Sequence, residues 1–451
     1  MTKPTTKSWL FVLTIGLGTL LNPLNSSMIS VALTRIQHEF QLTFTDVSWL
    51  ISIFYIASAV GQPVMGKLSD MFGPKRLFLT GLSLVALTSI LAPLSPNYVT
   101  LLGFRALQAI GSSTLFPSGM AMIRSSITEN QGKALSTIAV FSSTSAAFGP
   151  SIAGFLIQSW NWPAIFVINL PFIIVSFVLS ITILPNTGKN KIDLTRIDFG
   201  GISLFVVGVT TLILFLLSIV DQVKWWAIIV AILSFVCMYV YETRRRDPFI
   251  DLKALKNNKN VSFIYLHFMS INIIFYCYFF GLPTFLLQVR EYSERTTGLI
   301  MLAMAGMGVF VTPFVGRWID RSGAKLTLLT GAISLMVGTA LLLTVHDTTP
   351  LWWLLIIMAI IGMSNSFNNI SLQISLYSHV NKEETASAAG LYQTSRYLGS
   401  IFSSCILGIL FNDYLDVAHL HMVVMICLIF SVLVLYFAIR LPGKKLVTSK
   451  A

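Results

Sequence analysis

An arginine and a glutamine lie three residues apart in two long apolar runs, as Arg105 with Gln108 and as Gln393 with Arg396. Residues three apart share one face of a helix. Because a charge in an apolar segment is costly, it usually faces a partner or a water-filled cavity. We interpret Arg105 as a residue that modulates a nearby proton acceptor, and the other three as candidates for binding a substrate. A structural arginine that binds backbone carbonyls is the alternative.

A second polar set, Asn365, Asn369 and Gln373, repeats every four residues and so lines one helix face. In lipid such a face must turn away from the hydrocarbon. We interpret it as the lining of a substrate cavity, with hydrogen bonding between helices as the alternative. The aromatic run 275–279 contains Tyr276, a candidate for stacking on a flat aromatic substrate. Simple packing is the alternative there.

The elements that must position these residues are membrane helices. The 451 residues are 55% hydrophobic and only 11% charged, whereas soluble domains carry about 25% charged residues. Lipid must therefore surround most of the surface, and apolar runs of roughly 18–25 residues predict spanning helices. We predict fourteen of them, at about 9–33, 47–66, 77–95, 98–122, 134–158, 163–184, 199–220, 225–243, 261–288, 297–315, 326–345, 350–374, 386–410 and 418–440.

The connections between these runs exclude several classes of protein. None is long enough for a folded soluble domain, which argues against an enzyme working in water. The four cysteines lie inside apolar runs and show no disulfide or metal-ligand spacing. With the N-terminus in the cytoplasm, most of the 30 lysines and arginines fall in inner loops, as the positive-inside rule requires. Both termini are therefore predicted to be cytoplasmic, and the net charge of +12 does not indicate nucleic-acid binding.

A short pattern occurs twice, in 66–76 and in 316–325. Both copies read glycine, a basic residue, two further residues, aspartate, two further residues, glycine, one further residue and a basic residue. Each copy follows the second helix of a six-helix unit, and paired halves around a central site are a common transporter plan. The predicted layout has a six-helix half at 9–184, two inserted helices at 198–243, a cytoplasmic linker at 244–260 and a second half at 261–440.

Asp70 and Asp320 occupy the aspartate position of the two copies, and Arg76 ends the first. The flanking glycines let a loop turn tightly. An aspartate at a helix N-terminus is favoured by the helix dipole, so such a contact can hold one conformation closed. We interpret these three residues as gating residues. The alternative is a charged loop that only fixes topology.

Gly149-Pro150 predicts a bend in the fifth span, because proline removes a backbone hydrogen bond. Small residues permit close helix packing. Plain tight packing is one interpretation of Gly149 and Pro150, and a rocking contact is the other, which rests largely on the family resemblance given below. The small residues form two stripes, Ser142, Ala146, Pro150 and Gly154, and Ser145, Gly149 and Ala153.

These motifs together resemble the major facilitator superfamily, and within it the fourteen-helix drug:proton antiporters, over nearly the whole chain. The segment 66–76 is similar to the signature between helices two and three. Further similarities are Arg105-x-x-Gln108-x-x-Gly111 in the fourth helix, Gly149-Pro150-x-x-Ala153-Gly154 in the fifth, and Trp160-Asn161-Trp162 with Phe166, Asn169 and Pro171 between the fifth and sixth.

The resemblance implies an all-α integral membrane fold with fourteen transmembrane helices in the bacterial plasma membrane. It also implies proton-coupled efflux of hydrophobic cationic or zwitterionic drugs by alternating access, as in multidrug effluxers of Gram-positive bacteria such as staphylococci. One departure is Asn25, which stands where many relatives carry an acidic residue in the first helix. Asn25 cannot ionise, and we retain it as a substrate-binding candidate.

The proton must then bind elsewhere, and all 18 acidic residues lie in predicted loops or near predicted helix ends. The candidates near the outer mouth are Glu39, Asp46, Glu291 and Glu294. Asp46 is the best placed, at the start of the second span, where Arg105 can modulate its proton affinity through water. Glu39 is the weaker candidate, and a helix N-cap is the alternative role of Asp46.

We expect a monomer that uses the proton gradient and needs no cofactor or metal. Its expected partners are drugs or dyes, protons and the lipid bilayer, with no nucleic acid. A carrier for one physiological solute, exporter or importer, is the first alternative. A non-transporting membrane enzyme or sensor is the second, and the lack of a His/Cys/carboxylate cluster in the sequence argues against it.

Overall fold

The computed structural model describes residues 6–185, 197–219, 222–245, 247–411 and 415–442, and these ranges contain helices and no strand. The first nine α-helices are α1 Thr6–Thr19, α2 Leu21–Glu39, α3 Phe44–Phe72, α4 Pro74–Leu91, α5 Tyr98–Ser113, α6 Leu115–Ser126, α7 Gln131–Trp160, α8 Ala164–Val167 and α9 Asn169–Ile183. They are followed by α10 Phe199–Ser218, α11 Trp225–Glu242, α12 Leu252–Asn257, α13 Lys259–Gln288, α14 Glu294–Ser322, α15 Ala324–Leu341, α16 Leu351–His379, α17 Thr385–Leu410 and α18 Val417–Arg440.

The chain forms two compact units. The first comprises Met1–Ile192 and Asn381–Leu391, and the second comprises Asp193–Val380 and Tyr392–Ala451. The beginning of α17 therefore belongs to the first unit although it lies late in the sequence. This assignment places the contacts of residues 381–391 with α3 and α6 inside one unit.

Within the described residues, 12 helical segments are long and apolar enough to cross a membrane. The prediction of an all-α, multi-pass membrane protein is confirmed. The other two predicted spans are also helical, but their helices are shorter or less apolar than these 12 segments. One of them is divided at Thr114 into α5 and α6, and the other is α17, which carries Gln393 and Arg396.

Proline residues lie inside four of the long helices, at Pro63, Pro150, Pro283 and Pro313. Each removes a backbone donor, which weakens the helix locally. Two of these helices, α3 and α14, correspond in the sequence repeat, and each carries its proline in the same place relative to its end. The repeat therefore extends beyond the aspartate pattern.

The two copies of the repeat adopt the same local structure. Gly73 (φ 96°) and Gly323 (φ 81°) form the turns after α3 and α14, in a backbone region that favours glycine. The next helix begins at once in both copies, at Pro74 and at Ala324. One expectation is corrected: residues 66–72 and 316–322 are helical and not loop, so only one glycine in each copy makes the turn.

A lysine two residues after each turn secures the last helix of its own half. Lys75 Nζ donates to the carbonyl oxygens of Ile181 (3.0 Å) and Leu184 (2.8 Å) at the end of α9. Lys325 Nζ donates to the carbonyl of Ala438 (2.8 Å) at the end of α18. Cations stabilise helix C-termini by binding the terminal carbonyls, so the repeated basic residue has a repeated structural role.

The inserted pair α10 and α11 is tied to the chain that follows it by Asp198. This carboxylate accepts hydrogen bonds from the backbone N–H groups of Gly201 (2.9 Å) and Phe249 (3.1 Å). It also lies 3.4 Å from Arg245 Nη1. The predicted linker 244–260 therefore packs against the inserted pair, and it contains α12 and the beginning of α13.

Candidate functional site

Arg105 on α5 is the large buried cation of the first unit, with 1% of its surface exposed. Its Nη1 donates to Gln108 Oε1 at 2.6 Å, one helical turn away, as the spacing predicts. Nη2 approaches the backbone carbonyl of Asn25 on α2 at 3.5 Å. The guanidinium carbon lies 4.4 Å from the ring centre of Phe54 on α3, within cation–π distance.

Asn25 takes part in this cluster through its backbone and also through its side chain. Its Nδ2 donates to the carbonyl of Leu21 (2.8 Å), while its Oδ1 accepts from Asn169 Nδ2 on α9 (2.8 Å). Three helices, α2, α5 and α9, therefore meet through amides around one cation. The hydrogen-bond partners of Arg105 that the structure shows in its described ranges are uncharged.

The cluster keeps unused hydrogen-bonding capacity. In the described part of the chain, Nε of Arg105, Nε2 of Gln108 and Oδ1 of Asn169 have no hydrogen-bond partner. A buried polar group without a partner is costly, so these atoms are suited to bind water or a polar group of a substrate. In the sequence, only the family motif points to Asn169. Its contact with Asn25 joins residues 144 positions apart, and no local spacing predicts such a contact.

Glu39, at the end of α2, is linked to Arg105 through aromatic side chains. Its Oε2 accepts a hydrogen bond from the indole nitrogen of Trp162, which is 2% exposed. The Trp162 ring lies 6.1 Å from the Phe166 ring, and the Arg105 guanidinium carbon lies 5.9 Å from the Phe166 centre. A surface acid and the buried cation are therefore joined by packed rings.

Asp46 is exposed in the first turn of α3. The expected N-cap alternative is corrected, because Thr43 is the cap: its Oγ1 accepts from the Asp46 backbone N–H at 3.1 Å and donates to Asp46 Oδ2 at 2.6 Å. Tyr98 donates to the Asp46 backbone carbonyl. These partners are different from those of Arg105, so the structure does not bring the two predicted proton-coupling residues into contact.

Asp70 caps the beginning of α17. Its carboxylate accepts hydrogen bonds from the backbone N–H groups of Ala386 (3.0 Å) and Ser387 (2.8 Å) and from the Ser387 hydroxyl (2.5 Å). Such a capping contact is favoured by the positive end of the helix dipole. A helix N-terminus is the partner that the sequence pattern predicts for Asp70, and Asp70 has one. Its repeat counterpart Asp320 is half-buried near the end of α14.

Arg124, at the end of α6, binds the same segment from another side. Its Nη1 donates to the carbonyl of Asn381 (3.0 Å) and to Thr385 Oγ1 (2.8 Å). Arg76, the predicted gating arginine, is instead exposed on α4. Sequence reasoning missed Arg124 as a site residue, and its only sequence signal is a basic residue at a helix end.

Two glycines allow α3 and the beginning of α17 to approach closely. A Cβ at Gly66 would lie 2.4 Å from the Ala386 carbonyl oxygen. A Cβ at Gly390 would lie 2.3 Å from the Gln62 carbonyl oxygen. Both positions meet backbone, which cannot rotate away as a side chain can. The contact of Asp70 with 386–387 therefore depends on two glycines as well as on its own charge.

The small residues of α7 separate into a packed stripe and an exposed stripe. Ser145, Gly149 and Ala153 are buried, and a Cβ at Gly149 would lie 1.9 Å from Ser27 Oγ on α2. Pro150 is exposed, as is Ala146 one turn before it. The structure thus assigns close packing against α2 to the first stripe.

In the second unit, two side chains on the polar face of α16 form a hydrogen bond with each other within the helix. Gln373 Nε2 donates to Asn369 Oδ1 at 2.7 Å, while Asn365 is half-buried one turn earlier. Tyr392 of α17 donates to the Asn369 carbonyl at 3.2 Å. The spacing correctly places Asn369 and Gln373 on one face.

The remaining candidates lie on α13 and α17. Arg396 lies 5.2 Å from the Tyr397 ring centre, and its Nη2 is 3.5 Å from the Tyr397 hydroxyl. Gln393 is buried, and its Oε1 has no hydrogen-bond partner among the described residues. Tyr276 is half-buried and packs on Phe280, with 5.4 Å between the ring centres.

One titratable residue escaped the sequence analysis. His267 on α13 is fully buried, and neither ring nitrogen has a hydrogen-bond partner in the described ranges. Its ring lies 6.0 Å from that of Phe437. A single histidine in an apolar run carries no spacing signal, which is why the sequence did not single it out. Across the described residues, no group of His, Cys, Asp and Glu side chains has an arrangement that could hold a metal ion.

Comparison with known proteins places this arrangement in a family. The sequence profile described as Major Facilitator Superfamily matches residues 15–404. An uncharacterized MFS-type transporter of Bacillus subtilis, YwoD, is 43% identical over 435 residues, which cover 95% of this chain and 96% of the relative.

More distant relatives carry substrate names. The riboflavin transporter RibZ of Clostridioides difficile is 28% identical, with 81% of each chain covered. The multidrug transporter protein MdtP of Bacillus subtilis is 26% identical, with 86% of this chain and 72% of the relative covered. The helical fold, the motif residues and these full-length similarities show that the chain belongs to the Major Facilitator Superfamily and is a membrane transporter.

Proposed function

We propose that the protein is a proton-coupled antiporter that exports hydrophobic cationic or zwitterionic compounds across the bacterial plasma membrane. The observation that carries the proposal is the buried Arg105 cluster, which combines a cation, amide groups and unused hydrogen-bonding atoms inside an apolar unit. Similarity to a multidrug transporter supports it. The protein works as a monomer with both termini in the cytoplasm.

In this proposal the chain has fourteen transmembrane helices. The 12 apolar segments are supplemented by α5 with α6 and by α17. The first of these spans is divided into two shorter helices, and both spans carry an arginine. Polar residues within a membrane helix turn towards protein or water. Two halves of six helices make twelve transmembrane helices, and the inserted pair α10 and α11 raises the number to fourteen.

Proton coupling is assigned to Glu39, Asp46 and Arg105. The acids bind protons from outside, and Arg105 acts on them when water connects them to the cation. The contact of Glu39 with Trp162 and the packing of Trp162 on Phe166 favour Glu39 as the acid that responds to Arg105. Proton binding and drug binding then alternate as the unit changes conformation.

Gating is assigned to Asp70, Arg76, Gly149, Pro150 and Asp320. The hydrogen bonds of Asp70 to 386–387 form in one conformation and break in the other. Substrate binding is assigned to Asn25 and Gln108 in the first unit. In the second unit it is assigned to Tyr276, Asn365, Asn369, Gln393 and Arg396. Within each unit, hydrophobic drugs contact the apolar side chains next to these polar groups, and the polar groups fix the orientation of the drug.

The test is dye transport by purified protein in liposomes. An imposed pH gradient should drive uptake of ethidium into vesicles that are acidic inside, through the inward movement of dye in exchange for outward movement of protons. An uncoupler should abolish that uptake. Transport that persists with the uncoupler and requires ATP would exclude proton coupling.

A carrier for one physiological solute is the second candidate, favoured by the similarity to a riboflavin transporter. The same vesicles distinguish the two. Flux of riboflavin without flux of any of several unrelated dyes would favour the single-solute carrier. Flux of several dyes of different structure would favour multidrug export.

A further inference from the structure

The outer surface of α11 contains an open groove with a volume of about 550 Å³. This volume is within the range of about 300–1,000 Å³ typical of pockets for small ligands. The groove is lined by Val236, Cys237, Val240, Tyr241, Arg244 and Arg245. One end is therefore apolar and the other carries two guanidinium groups, an arrangement that matches an amphiphile.

The two arginines differ in how they are held. Arg245 Nη1 donates to the Tyr241 hydroxyl at 2.6 Å and lies 3.4 Å from the Asp198 carboxylate, so its position is fixed. Arg244 is exposed. No ion pair joins Arg244 to an acidic side chain in the part of the chain that the structure describes. Its charge is therefore available to an external anion.

The position of the groove along α11 corresponds to the edge of a bilayer. The 18 residues of α11 are about 27 Å long at 1.5 Å per residue, close to the hydrocarbon thickness of about 30 Å. Trp225 and Trp226 are exposed at one end, and Tyr239 is exposed near the other. Exposed aromatic residues at both ends mark the two interfaces, so Arg244 and Arg245 lie at headgroup depth and Val236 lies in the hydrocarbon.

We propose that this groove is a binding site for one anionic phospholipid. The lipid phosphate binds Arg244 and Arg245, and an acyl chain lies along Val236, Cys237 and Val240. Basic pockets at the membrane surface bind acidic headgroups because each lysine or arginine attracts an anionic lipid. Since Arg245 also binds Asp198, an occupied groove would connect the lipid to both inserted helices and to the chain after them. The site is separate from the residues assigned to transport.

Cys237 is a native cysteine in the groove, so its reactivity reports whether the groove is occupied and no cysteine has to be introduced. It is exposed, whereas Cys277, Cys405 and Cys427 are buried. The rate at which a small maleimide alkylates Cys237 is measured by intact-protein mass spectrometry on full-length protein in mixed micelles. Dioleoylphosphatidylglycerol or dioleoylphosphatidylcholine is added in increasing amounts. Phosphatidylglycerol should protect the thiol at a concentration about fivefold lower, as roughly 1 kcal/mol for one basic residue implies.

Variants identify the residue responsible. Arg244→Gln should remove most of the preference for phosphatidylglycerol, and Arg244→Lys should keep it. Arg440→Gln is the matched control, because Arg440 is also exposed at the end of a membrane helix and lies 5.4 Å from a tyrosine ring, yet lines no part of the groove. The control should behave as the unmodified protein.

Several results would overturn the proposal. One is equal protection of Cys237 by the two lipids. Another is a loss of preference in Arg440→Gln as large as in Arg244→Gln. Protection by inorganic phosphate together with phosphatidylcholine would assign the site to a free anion in place of a lipid. Because the assay measures binding and not transport, its outcome is independent of proton coupling.

Discussion

Arg105 sets the electrostatics of the first unit, because a cation buried in apolar surroundings acts through a low local dielectric. It donates its hydrogen bonds to the Gln108 side chain and to the Asn25 backbone carbonyl, and both acceptors are neutral. Neutral partners leave the positive charge uncompensated, so the cation acts at longer range on any acid that water connects to it. At the scale of single residues, proton coupling is therefore a property of this arginine and of an acid at a distance.

Arg105→Gln tests this role. We expect transport to fall at least tenfold and its pH dependence to change, because hydrogen bonds of charged groups contribute about 1.5–3 kcal/mol and the field of the cation is lost. Initial rates of dye flux in vesicles from pH 6 to 8 measure both effects. Ser113→Ala is the control, since this buried hydroxyl donates to the Ala109 carbonyl in its own helix (2.7 Å). An unchanged pH profile in Arg105→Gln would contradict the coupling role.

The choice between Glu39 and Asp46 is a separate prediction. Glu39→Gln should abolish uphill, proton-driven flux yet preserve downhill exchange of dye, because only a titratable group can carry the proton. Asp46→Asn should have the smaller effect, since its carboxylate bonds locally to Thr43. The ratio of uphill to downhill flux in each variant is the measurement. The reverse order of effects would return Asp46 to first place.

Spacing predicted those contacts that lie within one helix. Arg105 with Gln108, and Asn369 with Gln373, are hydrogen-bonded pairs that a period of 3.6 residues is sufficient to find. Asn169 was found only through the family motif, and the contact of Arg124 with Thr385 was missed. Such partners are far apart in the sequence and come together through tertiary packing, which has no local pattern.

At the scale of elements, the main feature is the close crossing of α3 with the beginning of α17. Two glycines remove the Cβ atoms that would meet backbone oxygens, and Asp70 then reaches the free N–H groups of 386–387. Steric fit and electrostatics thus act on the same contact. The sequence predicted the aspartate and its preference for a helix N-terminus. It did not predict that 66–72 is helical, because charged residues ended the apolar run before the helix ended.

Asp70→Asn separates charge from shape at this crossing. The variant should insert and purify normally, because an amide oxygen still accepts hydrogen bonds. We expect transport to fall at least severalfold, since the loss of the charge weakens bonds that are about twice as strong when one partner is ionised. Dye flux and the amount of protein in the membrane are measured together. Wild-type flux at equal amounts of protein would leave Asp70 only a topological role.

At the scale of the whole molecule, two distant segments of the chain repeat the same local structure. Both have a proline-containing helix, a turn at a glycine with positive φ and a lysine that binds the end of a later helix. A repeated pattern of ten residues predicted that the two segments correspond, and the six-helix halves around them stay a prediction. The inserted helices have no counterpart in the repeat, and they also carry the proposed lipid site, which no sequence motif indicated.

The duplication makes a quantitative prediction for Lys75 and Lys325. Each lysine secures the last helix of its own repeat, and the two share no partner. Lys75→Gln and Lys325→Gln should therefore each lower the free energy of unfolding by about 1 kcal/mol, the usual net contribution of such a hydrogen-bonded contact. Contacts without common partners add to within about 0.5 kcal/mol, so the double variant should lose about the sum. Denaturant titration in detergent measures the losses, with Lys253→Gln on exposed α12 as the control. A double variant no less stable than either single one would mean that the two lysines act on one cooperative contact, and the halves would not be independent in stability.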